Sequence, residues 1–188
     1  MTSDRDQLLR AAADHLARRP NATQDEIAKA IGISRATLHR HFAGRRELLA
    51  AVEESAVTRM DEALRAARLE EGTATQALHR LTTACEPVAP FLALLYTQGQ
   101  DIPEQTHPGW EDIDERILEL FRRGQRSGEF TPDLSAAWLT EAFYSLVAGA
   151  AWSVQSGRVA ARDFQHMITD LLLHGVASAG RPSRETDR

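Results

Sequence analysis

Between Ile27 and Arg46 the chain carries Lys29, Arg35, Arg40, Arg45 and Arg46, with His39 and His41 among them and no Asp or Glu. Such side chains suit a polyanion. Guanidinium groups pair with phosphate oxygens or with the O6/N7 edge of guanine, and imidazoles add hydrogen bonds that depend on pH. A second chemically able group lies near the other end. Asp163, His166, Asp170 and His174 are spaced i, i+3, i+7 and i+11, so they would share one face of a helix and are of types that ligate a divalent metal. A solvated polar face opposite an apolar stripe is the preferred explanation of that spacing, and no other segment supplies a partner set. No metal site and no cofactor are expected, and whether this face has any role stays open. An enzyme built on a helical bundle would need parts not found here. There is no His-Glu-x-x-His, no repeated Glu-x-x-His, no phosphate-binding glycine loop and no nucleophile elbow, so no catalytic residue is expected.

The formal charge of −5 argues against a nucleic-acid partner until it is divided along the chain. Residues 1–50 hold nine Lys/Arg against six Asp/Glu, a balance of +3, and the remainder carries −8. A basic patch on an acidic body is the electrostatic footprint of a polyanion-binding face, although a solvated charged face gives the same pattern.

The elements that must position these residues are helical. Asp6–Arg19 places Leu9, Ala12, Ala13 and Leu16 at i, i+3, i+4 and i+7, and Pro20–Asn21 ends it. Thr23-x-x-Glu26 is a capping box that opens a second helix, with Ile27, Ala28 and Ile31 on its inner face and Gly32 to stop it. Ser34 caps a third helix, whose Leu38 and Phe42 point back at the second, and Gly44 ends it. A long helix follows from Arg45 to about Leu69, broken at Glu70-Glu71-Gly72. Further helices are expected near Ala74–Cys85, Val88–Thr97, Glu111–Arg126, Leu134–Ser156 and Ala161–Ala177, about nine in all. Gly99–Gly109 reads as a loop, and no segment alternates like a strand.

Thr23–Phe42, TQDEIAKAIGISRATLHRHF, therefore fits a helix-turn-helix. Its two short helices meet through Ile27, Ile31, Ile33, Leu38 and Phe42. The opposite face of the third helix presents Arg35, Ala36, Thr37 and Arg40, flanked by His39 and His41. A helix this short enters the major groove of B-DNA, where Arg35 can pair with guanine and the Ala36 and Thr37 methyls suit thymine. Thr23 and Ser34 open helix N-termini suited to phosphate, and Arg45 begins the next helix at a similar vantage. From this motif alone, packing of the helical hairpin against a partner protein is the competing reading.

The stretch Ala28–Leu49, AKAIGISRATLHRHFAGRRELL, resembles the signature of TetR-type regulators, commonly IA-x-x-x-GVS-x-x-TLY-x-HF-x-x-KEELL. The match falls on Ala28, Gly32, Ser34, Thr37, Leu38, His41, Phe42, Glu47, Leu48 and Leu49. His39 replaces the usual Tyr and Arg45 the usual Lys. The resemblance implies an all-α fold: an N-terminal three-helix DNA-binding head, a linking fourth helix, and a C-terminal helical domain for effector binding and dimerisation. It implies a sequence-specific transcriptional regulator that acts as a homodimer, a repressor released from a palindromic operator by a small-molecule effector. Carried over by position, phosphate contacts fall on Thr23, His39, His41 and Arg45, and base reading on Arg35, Ala36, Thr37 and Arg40.

The second half supplies what such a regulator needs. Leu134–Ser156 is apolar on two sides, with Leu134, Trp138, Ser145, Gly149 and Trp152 along one stripe and Leu139, Phe143, Leu146, Ala150 and Val154 along the other. One stripe is expected to face its own domain and the other a second subunit. Phe164, Met167, Ile168, Leu171 and Leu172 would complete a four-helix interface about a two-fold axis, so the expected dimer residues are Trp138, Gly149, Trp152, Phe164, Met167 and Leu171. Tyr96, Trp110, Phe121, Phe143 and Tyr144 are candidates for lining an effector pocket, or are ordinary core.

The expected divisions are 1–48 for the DNA-binding domain, 49–180 for the effector and dimerisation domain, and 181–188 for a disordered polar tail. No apolar run of signal-peptide or membrane-spanning length is found, so a cytoplasmic location and no membrane partner are expected. The lone Cys85 can form no internal disulfide and reads as a buried small hydrophobe.

Overall fold

A computed structural model describes residues 4–97 and 107–174. The expected loop lies largely in residues 98–106, and the expected end of the last helix and the tail lie beyond 174; these fall outside the described residues. Among the described residues the chain forms α1 (Asp4–Arg18), α2 (Gln24–Ala30), α3 (Arg35–His41), α4 (Arg45–Ala67), α5 (Ala74–Ala84), α6 (Ala89–Thr97), α7 (Gly109–Arg126), α8 (Ala136–Gln155) and α9 (Phe164–His174). A 3-10 turn, Ala161–Asp163, leads into α9, and no strand is present among these residues.

Local chemistry sets the boundaries. The Thr23 hydroxyl accepts the Glu26 N–H while the Glu26 carboxylate accepts the Thr23 N–H, closing the start of α2 reciprocally. Gly32 follows α2 at φ +77, a left-handed backbone that a side chain would oppose, and the Ile33 N–H returns to the Ala28 carbonyl. α4 stops at Ala67, slightly before the Glu70-Glu71-Gly72 break read from the sequence. There Arg68 turns into a left-handed backbone at φ 46, which ends the helix. The guanidinium of Arg80 on α5 donates to the carbonyls of Ala67, Arg68 and Glu71 and so holds the turn that follows. α5 is held at its start from a distance, because Glu129 accepts the N–H groups of Ala74 and Thr75.

α7 begins at Gly109, earlier than the expected Glu111. The His107 ring accepts the Gly109 N–H at 3.0 Å, and the buried carboxylate of Glu53 on α4 accepts the His107 N–H at 3.0 Å. The entry to α7 is thus fixed to α4.

Buried apolar side chains from α1 through α9 make one continuous cluster. α8 lies at its centre and packs on α1, α6, α7 and α9. α1 turns part of its surface to α2 and α4 and part to α6 and α8. Asp14 of α1 accepts a hydrogen bond from the Gln155 side chain at the end of α8, and Asp6 pairs with Arg59 of α4. Cys85 is wholly buried, and burial pushes its thiol well above the usual range, as expected of a core residue. No helix of the described residues is long and apolar enough to cross a membrane.

Candidate nucleic-acid interface

α3 is amphipathic because of where Leu38 and Phe42 fall. Leu38, and Phe42 just past the last turn, are buried against α2 and its neighbours, which turns the other side of the helix outward. On that side Arg35, Ala36, His39 and Arg40 are exposed, while Thr37 and His41 are half-buried. The helix has 7 residues; at 1.5 Å per residue that is about 10 Å, short enough to lie along one turn of a major groove. Ser34 caps it by accepting the Thr37 N–H at 3.0 Å, and the two hydroxyls share a further hydrogen bond at 2.9 Å. Thr37 is thereby held by its hydroxyl.

Two residues assigned to phosphate are otherwise engaged. Arg45 is half-buried, and its guanidinium donates to the carbonyl of Pro20 at 2.6 Å and of Ala22 at 3.4 Å. Its charge fastens the start of α4 to the turn after α1, and Arg46 beside it is the side chain that extends into solvent, with Glu47 within 3.3 Å. Thr23 is likewise engaged, because both its N–H and its hydroxyl donate to Glu26. Those hydrogen bonds hold the Glu26 carboxyl below its usual range, so the positive end of α2 already faces an anion. The sequence shows the Thr23–Glu26 spacing but not that it uses up the site offered to phosphate. A residue not anticipated also enters the interface: Asp25 reaches Arg35 across ten positions of sequence.

The apolar candidates separate into two groups. Trp138 is 59% exposed and Leu171 45%. Trp152 and Gly149 are also exposed, and Gly149, the half-buried Met167 and Leu171 line a groove of about 200 Å³ between α8 and α9. Arg158 covers part of the Trp152 ring, its guanidinium carbon 4.3 Å from the centroid. Phe164 departs from the expectation. It is 4% exposed and packs into the core of its own chain, unlike Trp138 and Leu171. On the other stripe Leu139, Phe143 and Ala150 are buried, and Leu146 and Val154 are half-buried.

Among the aromatic pocket candidates, Trp110 meets Tyr144 edge-on at 6.2 Å, and Phe143 lies 6.1 Å from Tyr144. The Tyr144 hydroxyl donates to Asp114 at 2.7 Å, and burial together with that carboxylate raises the phenol above its usual range. Tyr96 is exposed and its hydroxyl shares a hydrogen bond with Ser145 at 3.2 Å. Phe121 stands apart, in the later part of α7, where it packs on Phe130 at 5.8 Å. The five do not form a single cluster. Asp163 lies in the 3-10 turn rather than on α9 with His166, Asp170 and His174, and among the described residues no three such groups converge as a metal site.

Residues 8–52 match the family described as bacterial regulatory proteins, tetR family. Over 184 residues the chain is 32% identical to the HTH-type transcriptional regulator NfxB of Pseudomonas aeruginosa, covering 96% of this chain and 98% of that protein. The chain belongs to the TetR family. It is a helix-turn-helix transcriptional regulator, from a family of DNA-binding proteins rather than enzymes. This TetR-family chain is also 27% identical over 174 residues to the HTH-type transcriptional repressor LfrR of Mycolicibacterium smegmatis, covering 91% of this chain and 87% of that protein. The crystal structure of LfrR from Mycobacterium smegmatis in complex with proflavine superposes with a TM-score of 0.72 at 25% identity, covering 93% of this chain and 96% of that one.

Proposed function

We propose that this regulator is a homodimeric repressor that binds a near-palindromic operator through α3 and is released by a small-molecule effector. The observation that carries the reading is the outward face of α3, where Arg35, Ala36 and Arg40 stand exposed opposite a buried Leu38. Arg35, Ala36, Thr37 and Arg40 are assigned to base edges. His39, His41, Arg46 and the main chain around Ser34 are assigned to phosphate, and Arg45 and Thr23 to holding the head in shape. The exposed Trp138, Trp152 and Leu171 support a dimer face on α8 and α9, which would set two heads on one axis to meet two half-sites.

In this reading residues 1–48 read DNA, residues 49–180 sense and dimerise, and the protein works in the cytoplasm beside its operator. LfrR, solved in complex with proflavine, supports a small-molecule effector, and Tyr96, Trp110, Phe143 and Tyr144 are assigned to its site because Trp110 and Phe143 both meet Tyr144 and Tyr96 reaches the neighbouring Ser145. An effector that prefers the dimer with mis-spaced heads weakens operator binding by that preference alone.

Selection of bound fragments from random duplex DNA, followed by binding across a salt series, tests the proposal. An enriched near-palindrome whose affinity falls steeply with salt is expected. No enriched sequence, or affinity indifferent to salt, would overturn it in favour of a protein partner for the same hairpin.

A further inference from the structure

Asp25 stands in the first turn of α2, and its Oδ2 accepts a hydrogen bond at 3.3 Å from Nη1 of Arg35, the first residue of α3. Both side chains remain open to solvent, at 62% and 68% exposure. The head does not need this contact for its stability: Thr23 and Glu26 already close α2, and an exposed ion pair contributes little to folding. Its effect is on direction. A free Arg side chain samples many rotamers, and losing that freedom opposes every contact it makes. Held at Nη1, the guanidinium keeps its Nε–Nη2 edge for a partner, two parallel donors that match the O6 and N7 acceptors of guanine.

The carboxylate also acts against other sequences. Where Arg35 finds no pair of acceptors and swings to a phosphate, it leaves Asp25 as an uncompensated negative charge beside the duplex backbone. Where Arg35 finds guanine, the ion pair persists and the charge stays neutralised.

We propose that Asp25 is a specificity-determining positioning residue, which orients Arg35 toward a guanine and penalises duplexes that draw Arg35 away. The proposal rests on the DNA-binding reading above.

The test uses the full chain, the duplexes it selects, and variants of them at the base pair whose recognition Arg35→Ala relaxes. Asp25→Ala is expected to bind random-sequence duplex more tightly, by about threefold, because a charge that repels phosphate is gone. Its discrimination at that base pair should fall on the order of tenfold. Asp25→Asn, which keeps the shape and one acceptor, should fall between, and it guards against any loss of folding in the alanine variant. In an Arg35→Ala background, Asp25→Ala should leave discrimination unchanged. A uniform shift on all duplexes, or a discrimination loss that persists without Arg35, would overturn the proposal while leaving DNA binding intact. If the unaltered chain selects no duplex, the DNA-binding reading falls and this one falls with it.

Discussion

The Nη2 of Arg45 donates to the Pro20 carbonyl at 2.6 Å and its Nη1 to that of Ala22, so the first residue of α4 ties down the turn between α1 and α2. Replacing Arg45 by Ala should therefore cost stability, about 2 kcal/mol for charged hydrogen bonds to main-chain carbonyls. Arg45→Lys, with one ammonium in place of a fork, should recover only part. Chemical denaturation of the two variants checks this, and an unchanged midpoint with weakened DNA binding would return Arg45 to the phosphate contacts.

Acid should loosen the start of α5 through Glu129. Two main-chain N–H groups, those of Thr75 and Ala74, hold its carboxyl at about 2, against an ordinary value of 4.5. The folded value is the lower one, so the stabilisation is complete above the unfolded value and disappears as pH falls from about 4.5 through about 2. Glu129→Gln should flatten the loss of stability across that window in denaturation series. An equally steep acid limb in the variant would show that other carboxylates account for it.

The exposed stripe of α8 and α9 predicts the oligomeric state. Trp138→Glu or Leu171→Asp places a charge on the face assigned to the partner, and sedimentation should show a shift from dimer to monomer. Operator affinity should fall with it, since a lone head engages one half-site. A variant that remains dimeric would move the interface elsewhere.

A methyl group at Gly124 would be driven into the Phe130 ring. Gly124→Ala should destabilise the chain by about 1–3 kcal/mol through overpacking, and a companion Phe130→Leu should relieve part of that loss. Thermal unfolding of the single and double variants reads the coupling directly.

Most of the helical frame was legible because it is written locally. Leu9, Ala12, Ala13 and Leu16 repeat at helical spacing, and Thr23, Ser34 and Gly32 mark ends with chemistry that acts within a few residues. The outward side of α3 followed from the placement of Leu38 and Phe42 alone. What escaped depends on partners distant in sequence. Arg45 looked available because the Pro20 and Ala22 carbonyls that engage it lie more than twenty positions away. Phe164 shares the apolar spacing of Met167 and Leu171, and only the packing of α9 against the core separates them. The start of α7 depends on Glu53, a buried acid that periodicity marks as nothing special.

The helix α1 belongs to both halves of the molecule, joined most extensively to α6, also to α8, and on its other side to α2 and α4. A fragment cut after residue 48 would thus lay bare the side of α1 that faces α6 and α8, and any sensor exchanged by evolution must bring along a matching outer surface for that helix. Through that shared helix, a displacement of α6 or α8 would bear on the packing of α2 and α4.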